Sequence, residues 1–110
     1  MKKKKYLQRD IVLIEVPFSE GKKTKIRPVL IISNSLLASV NEFVFLPLTG
    51  TRFKDNLEIH LNDKMVITDL PKESYIRINK IASIDKSLIL RRVNELKPQY
   101  FNVMNRRFNL

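Results

Sequence analysis

The sequence contains no cysteine and a single histidine, His60. Without cysteine the chain has no disulfide bonds, no thiolate nucleophile and no sulfur-ligated metal, and this is compatible with a reducing compartment. A single histidine also argues against a metal site built on imidazole ligands. We therefore expect a protein that works without a metal ion or another cofactor.

Long apolar runs are missing as well. No stretch approaches the ~20 residues that a transmembrane helix requires. The basic start, residues 2–5, precedes a hydrophobic stretch that Glu15 interrupts, which is not typical of a signal peptide. With 44% hydrophobic residues, two glycines and five prolines the composition is that of a globular protein, and we expect it to remain in the cytoplasm.

The chain is short and strongly basic. Its 110 residues suffice for one domain with a modest core. Twenty-one Lys and Arg against eleven Asp and Glu give a net charge of +10, which indicates an anionic partner such as nucleic acid, a membrane surface or an acidic protein. A merely solubilising charge is the alternative. Residues 1–8, with four consecutive lysines, are predicted to be a flexible basic arm, and residues 9–110 to be the single domain.

Apolar patterning predicts a mainly β fold. Period-two alternation or short apolar runs indicate strands, and a polar loop over residues 18–26 separates the first two. After Pro98 the apolar spacing changes to that of an amphipathic helix. Roughly five to seven short strands and one terminal helix favour a small antiparallel barrel or a strongly curved sheet. The predicted strands are residues 10–16, 29–33, 43–48, 57–61, 74–79, 81–84 and 88–93.

Two neighbouring strands carry side chains that suit phosphate binding. Arg27 stands at the start of the second strand, and Thr49 and Thr51 follow the third. A guanidinium group forms paired hydrogen bonds to phosphate oxygens, and a hydroxyl group can donate beside it. The alternative is that Arg27 is merely solvated and that Thr49 forms a turn before Gly50.

One further strand combines an aromatic and a basic side chain. Tyr75 and Arg77 share a face, on which a ring could stack on an unpaired base while the guanidinium holds the adjoining phosphate. Their alternative role is to keep an edge strand soluble. His60 has a pKa suited to acid–base catalysis, but we expect it to lie exposed on an ordinary strand opposite Glu58.

The polar loop supplies three more cations. Lys22, Lys23 and Lys25 stand within five residues of the predicted phosphate-binding Arg27. We expect them to form an electrostatic rim that attracts a polyanion.

Four motifs occur in an order that resembles the MazF/PemK family, the toxin components of bacterial toxin–antitoxin pairs. They are Asp-Ile-Val at 10–12, Arg-Pro-Val-Leu at 27–30, Pro-Leu-Thr at 47–49 and Ser-Tyr-Ile-Arg-Ile-Asn-Lys-Ile at 74–81. The resemblance implies an SH3-like barrel with a C-terminal helix, a homodimer, and metal-independent cleavage of single-stranded RNA. It also implies an antitoxin whose acidic tail fills the same groove, and it places Arg27 and Thr49 in the catalytic centre.

The chain departs from the family pattern at three positions. Arg9 stands where a glycine is common, Lys22 stands where some members carry a glutamate, and Asn79 stands where some carry an acidic residue. The last two leave the general base unassigned.

The leading hypothesis is therefore an endoribonuclease toxin that cuts single-stranded RNA by attack of the 2′-hydroxyl group. Two rivals remain open. The first is a non-catalytic RNA-binding module on the same barrel. The second is a toxin that poisons a protein target such as a topoisomerase, in which case Arg27 would be dispensable.

Overall fold

The residues that the structure describes form one antiparallel sheet of seven strands with a C-terminal helix. The computed structural model describes residues 6–17, 23–34 and 41–108. The strand order is β4-β5-β3-β2-β1-β7, and β6 pairs with β3 beside this path. The predicted mainly β class and terminal helix are confirmed. The elements are β1 (Asp10–Pro17), β2 (Thr24–Ile31), β3 (Glu42–Thr49), β4 (Glu58–Leu61), β5 (Ser74–Arg77), β6 (Ala82–Asp85), β7 (Ile89–Glu95) and α1 (Pro98–Phe108).

Strand β2 begins earlier than the sequence predicted. Its first residues are polar and lack apolar alternation, yet they pair with β1 as far as the contact of Thr24 with Pro17. Backbone pairing with β1 extends the strand through Lys25 and Arg27, which the sequence had assigned to a loop and to the strand start. The predicted loop over 18–26 is therefore too long at its C-terminal end. Residues 18–22 of this loop, and residues 35–40 of the connector before β3, lie outside the described residues.

Both faces of the sheet are buried, because successive side chains of a strand point to opposite faces. One face forms the helix-side core, in which Leu30, Leu46 and Ile76 lie together with Phe101 and Met104 of α1. The other face forms the groove-side core, whose buried members are Val12, Ile14, Val29, Ile31, Phe43, Phe45, Ile84 and Ile89. This double burial explains the unbroken apolar run in β2.

Helix α1 covers the helix-side core through one stripe of side chains. Pro98 occupies its first turn, where a missing N–H costs nothing. Phe101 and Met104 are buried, whereas Val103 between them is 54% exposed. Among the described residues no helix has the length and apolarity needed to span a bilayer.

Strand β3 changes partners along one of its edges. Its first residues, from Glu42 to Phe45, pair with β6, and its last two, Leu48 and Thr49, pair with β5. On the opposite edge it pairs with β2. The sheet therefore forks at the middle of β3, and the chain segment that joins β5 to β6 lies at this fork. Lys80 belongs to this segment.

The structure shows how Arg9, one departure from the family pattern, is accommodated. Arg9 has a φ of 80°, in the left-handed region that glycine adopts most easily. Its Nη1 atom donates to Glu95 Oε2 at 3.0 Å and to the Leu96 carbonyl oxygen at 2.9 Å. These charge-assisted bonds offset the backbone strain. An arginine is thus accommodated where relatives commonly have glycine.

The predicted arm is partly described. Residues 1–5 lie outside the described residues, but Gln8 donates its side-chain amide to the Ile32 carbonyl oxygen at 2.9 Å. The Leu7 N–H donates to Asp10 Oδ2 at 2.8 Å. The last residues of this segment therefore contact the domain, and the boundary at residue 8 remains a prediction.

Candidate active-site groove

An open groove of about 380 Å³ lies on the groove-side face of the sheet. Its floor is apolar and comes from β1, β2 and β3, where alternation turns Ile14, Val29 and Phe45 to this face. Its polar lining comes from Arg27, Thr49, Arg77 and Lys80. The groove thus combines an apolar base with three cations and one hydroxyl group.

The two residues predicted to bind a phosphate line this same groove. Val29 of β2 pairs with Pro47 of β3, and two further residues along each strand lead to Arg27 and Thr49. Side chains two apart share a face, so the two residues stand side by side on adjacent strands, just beyond the residues through which β2 and β3 pair. The sequence placed them together correctly, whereas their catalytic role remains a prediction.

The Thr49 hydroxyl group has its proton available. Its oxygen accepts a hydrogen bond from the Thr51 N–H at 3.1 Å. A hydroxyl that accepts in this way can still donate its own hydrogen. Thr51 is exposed just beyond the strand, and it does not belong to the residues that line the groove. Its predicted RNA contact would therefore be made at the edge of the site.

Arg77 lines the groove but is already engaged. It donates from Nη1 and Nη2 to the two carboxylate oxygens of Asp55, at 2.9 and 3.0 Å. Its guanidinium carbon lies 4.2 Å from the centroid of the Phe53 ring, a cation–π contact. Glu58 accepts the N–H groups of Phe53 and Lys54, at 2.7 and 3.2 Å. The loop after β3 is thus folded over Arg77 and held there.

This ion pair shifts the pKa values of both partners. The hydrogen bond from Arg77 lowers the pKa of Asp55 below its ordinary value of 3.8, and partial desolvation opposes that shift. The same bond raises the pKa of Arg77. Both groups are therefore charged over the whole physiological pH range, and a phosphate would compete with Asp55 for Arg77.

Tyr75 and Arg77 share a face, as predicted, but their side chains are buried where stacking on a base would require an open ring, and their contact with RNA remains a prediction. The alternation correctly placed both residues on the face of β5 that Ile76 does not occupy. However, Tyr75 is only 5% and Arg77 only 8% exposed. Arg77 is covered by the loop that carries Asp55. Tyr75 is covered by His60, whose ring stacks on it at a centroid distance of 5.0 Å. Desolvation accordingly raises the pKa of Tyr75.

Of the lysines of the predicted rim, Lys23 and Lys25 are not among the described residues that line the groove. Lys23 is exposed just before β2, and Lys25 lies in β2 two residues before Arg27, which gives it the same face. Lys22 lies outside the described residues. The rim therefore remains a prediction.

Sequence reasoning missed Lys80 and Phe53, which also line the groove. Lys80 is placed by the fork of the sheet, where its N–H donates to the Arg77 carbonyl oxygen at 3.4 Å. The motif at 74–81 includes Lys80, but its spacing does not predict a place in the groove, because that place depends on the pairing of β3 with two strands. Phe53 is brought in by the loop over Arg77.

Carboxylates are absent from the described residues that line the groove. Asn79, one of the three departures from the family pattern named above, is exposed beside Lys80. Within the described ranges no three His, Asp or Glu side chains cluster as metal ligands. The chemistry that this part of the chain offers is therefore cationic and hydrogen-bond donating.

Solved structures similar to this chain share its fold. An endoribonuclease in complex with its cognate antitoxin, from a mycobacterial species, matches with a TM-score of 0.75 at 18% identity, over 94% of this chain and 91% of the other. A second mycobacterial endoribonuclease gives a TM-score of 0.73 at 18% identity, over 94% and 86%. The Mycobacterium tuberculosis toxin MazF-mt6 gives 0.72 at 17%, over 92% and 93%. At these identities the likeness establishes the fold.

The family itself is established by sequence. No curated protein matches the chain individually. The family model described as PemK-like, MazF-like toxin of type II toxin–antitoxin systems matches residues 7–110, which is nearly the whole chain. The four motifs that suggested this family from the sequence all fall within the matched residues. The chain therefore belongs to the PemK-like, MazF-like family of type II toxins.

Proposed function

We propose that this chain is an endoribonuclease that cuts single-stranded RNA by attack of a 2′-hydroxyl group on the adjacent phosphate, without a metal ion. The observation that carries the proposal is the shared groove of Arg27 and Thr49, on the adjacent strands β2 and β3. The family match and the endoribonuclease function of similar folds point the same way. A net charge of +10 suits a polyanionic substrate.

The reaction forms a bond from the 2′-oxygen to phosphorus and breaks the bond from phosphorus to the 5′-oxygen. One proton leaves the 2′-hydroxyl and one is added to the departing 5′-oxygen. Negative charge builds on the phosphate oxygens between these events, and fixed donors aimed at that charge lower the barrier most. Arg27 supplies a permanent cation with a planar fork, and Thr49 supplies a neutral donor beside it. The described groove has no carboxylate, so the proposal assigns no proton acceptor.

Cleavage in excess EDTA is the primary test. Wild-type protein is incubated with single-stranded RNA, and the fragments are examined for 2′,3′-cyclic phosphate and 5′-hydroxyl ends. Removing one preorganised donor typically lowers kcat by about 10²- to 10³-fold, and we expect this from Arg27→Ala. Thr49→Val removes the hydroxyl at constant shape and should also lower kcat. Arg106→Ala, at an exposed position of α1, removes the same charge elsewhere and is the control.

Undiminished cutting by Arg27→Ala, or no cutting by wild-type protein, would overturn the proposal. The absence of carboxylates among the described groove residues favours a second candidate, an RNA-binding module without catalysis. That candidate predicts salt-sensitive binding, with a slope set by the number of phosphate contacts, and recovery of intact RNA.

The partners follow from the same proposal. We expect an antitoxin with an acidic segment to occupy the groove, because a carboxylate can bind Arg27 in the way a phosphate does. The chain is expected to act as a homodimer in the cytoplasm, where its RNA substrate is found. Light scattering of the purified protein measures the dimer, and loss of RNA cutting on addition of the acidic segment measures the inhibition.

A further inference from the structure

Three aligned residues lead from the candidate catalytic centre to the edge of the sheet. Thr49 of β3 pairs with Tyr75 of β5, and Tyr75 pairs with His60 of β4. Paired residues of antiparallel strands point to the same face, so these side chains form one row on the groove side. Two strand spacings put His60 roughly 10 Å from Thr49 along this row.

The outermost ring of this row is an imidazole. His60 stacks on Tyr75 with an interplanar angle of 22°. Tyr75 is buried, whereas the His60 side chain is 51% exposed. The tyrosine hydroxyl donates to Glu73 Oε2 at 3.4 Å, and His60 Nε2 lies 3.7 Å from Glu73 Oε1. These contacts hold both rings by their edges. One ring face of His60 rests on Tyr75, and about half of the side chain remains exposed to solvent.

Cationic side chains flank the same row. Arg52 is 63% exposed and acts electrostatically on the Tyr75 hydroxyl. Lys72 Nζ lies 3.6 Å from the point where a Cβ atom would stand at Gly50, so it reaches the residue after Thr49. An aromatic platform between cations is how proteins hold single-stranded nucleic acid, since the cations follow the phosphates and the rings take the bases.

The distance from Thr49 decides between two roles for His60. A general acid or base must lie within hydrogen-bond reach of the proton that it transfers, and two strand spacings exceed that reach. The same distance leaves room for the sugar and base of a nucleotide next to the reacting phosphate. Stacking on an unpaired base requires only an accessible ring, and the His60 side chain is half exposed.

We propose that His60 is a specificity-determining residue that stacks on a base next to the cleaved phosphate, backed by Tyr75. The inference rests on the proposed RNA cleavage, because the Thr49 centre defines which nucleotide is adjacent. His60 touches the base and not the reacting atoms. It therefore contributes to binding and base preference, and the chemical step proceeds on Arg27 and Thr49.

The test compares wild-type protein with His60→Leu and His60→Phe. Leucine keeps Tyr75 covered but has no π face, whereas phenylalanine restores the π face without a titratable group. The cut site is first mapped on RNA, and 2-aminopurine is then placed at each flanking position of an oligonucleotide with 2′-deoxyribose at that site. Fluorescence quenching reports stacking, and titration gives the dissociation constant.

We expect quenching at one flanking position with wild-type protein and His60→Phe, and its loss with His60→Leu. One base stack lost by substitution weakens binding by about 5- to 150-fold, so His60→Leu should raise KM by this factor at unchanged kcat. Thr49→Val should retain the quenching, which separates the two functions.

The result that overturns the inference is equal quenching and equal KM for wild-type protein and His60→Leu. A fall in kcat at unchanged KM for His60→Leu would also overturn it, since that pattern indicates a role in the chemical step. If wild-type protein binds the oligonucleotides but never cuts RNA, the proposed function fails. In that case, quenching of the 2-aminopurine fluorescence at successive positions of the oligonucleotide still shows whether the His60 ring stacks on a base.

Discussion

Substitution of Phe101 by alanine tests whether stability and activity reside on opposite faces of the sheet. Phe101 is 5% exposed in the helix-side core, on the face that does not line the groove. Phe→Ala in such a site costs about 3–5 kcal/mol of unfolding free energy, because transfer and cavity terms add. For a chain of 110 residues this corresponds to a fall in Tm of roughly 12–20 °C.

Val103 in the same helix provides the matched control. It is 54% exposed, so Val103→Ala should change the free energy of unfolding by less than about 0.5 kcal/mol. Urea unfolding is followed by far-UV circular dichroism at one protein concentration, since association would make the midpoint concentration-dependent. RNA cutting is measured below both transitions, where Phe101→Ala should be as active as wild type.

Arg27→Ala should show the converse pattern, with unchanged unfolding and lost cutting, because Arg27 is exposed in the groove. Two results would refute the reasoning. One is a Phe101→Ala variant no less stable than Val103→Ala. The other is a folded Phe101→Ala variant that no longer cuts RNA, which would show that the two faces are not separable.

Two further substitutions address the polar contacts that hold loops to the sheet. The folded pKa of Asp55 is below its ordinary value of 3.8, so its stabilising effect is complete above that value and is lost as pH falls through the folded pKa. Asp55→Asn should therefore flatten the acid side of the stability–pH curve, and an unchanged acid slope in urea titrations from about pH 5 to pH 2 would contradict this. Asn94 is 6% exposed, donates to the Thr68 carbonyl oxygen at 2.8 Å and accepts the Thr68 N–H at 3.1 Å. Asn94→Ala should cost about 1–3 kcal/mol in the same urea assay, and a cost no larger than that of the exposed Asn102→Ala would rule out this role.

The sequence allowed prediction of those features that depend on neighbouring residues along the chain. Alternation revealed the faces of the strands, and the helical spacing of Phe101 and Met104 revealed α1. Arg27 and Thr49 could be placed together because they lie on two strands that follow each other along the chain and pair in the sheet. Local pattern and tertiary position agree in these cases.

The features that sequence reasoning missed depend on segments distant along the chain. Tyr75 and Arg77 have a polar, strand-edge pattern, but the loop with Asp55 folds over one and His60 covers the other. Lys80 reaches the groove only because β3 pairs with both β5 and β6. The spacing of residue types along the chain does not predict such contacts, because they depend on which strands pair and in which register.

The junction between β3 and β5 is narrow, and this affects how base preference for RNA can change among related toxins. Only two residue pairs, Leu48 with Ile76 and Thr49 with Tyr75, are recorded between these strands, and β4 joins the sheet through β5. The position of this two-stranded ribbon therefore depends also on how Leu61 and Ile76 pack in the helix-side core beneath it. A methyl group gained or lost in that interior is expected to shift the outer strand, which carries His60. New base preferences could thus arise from substitutions that never touch RNA.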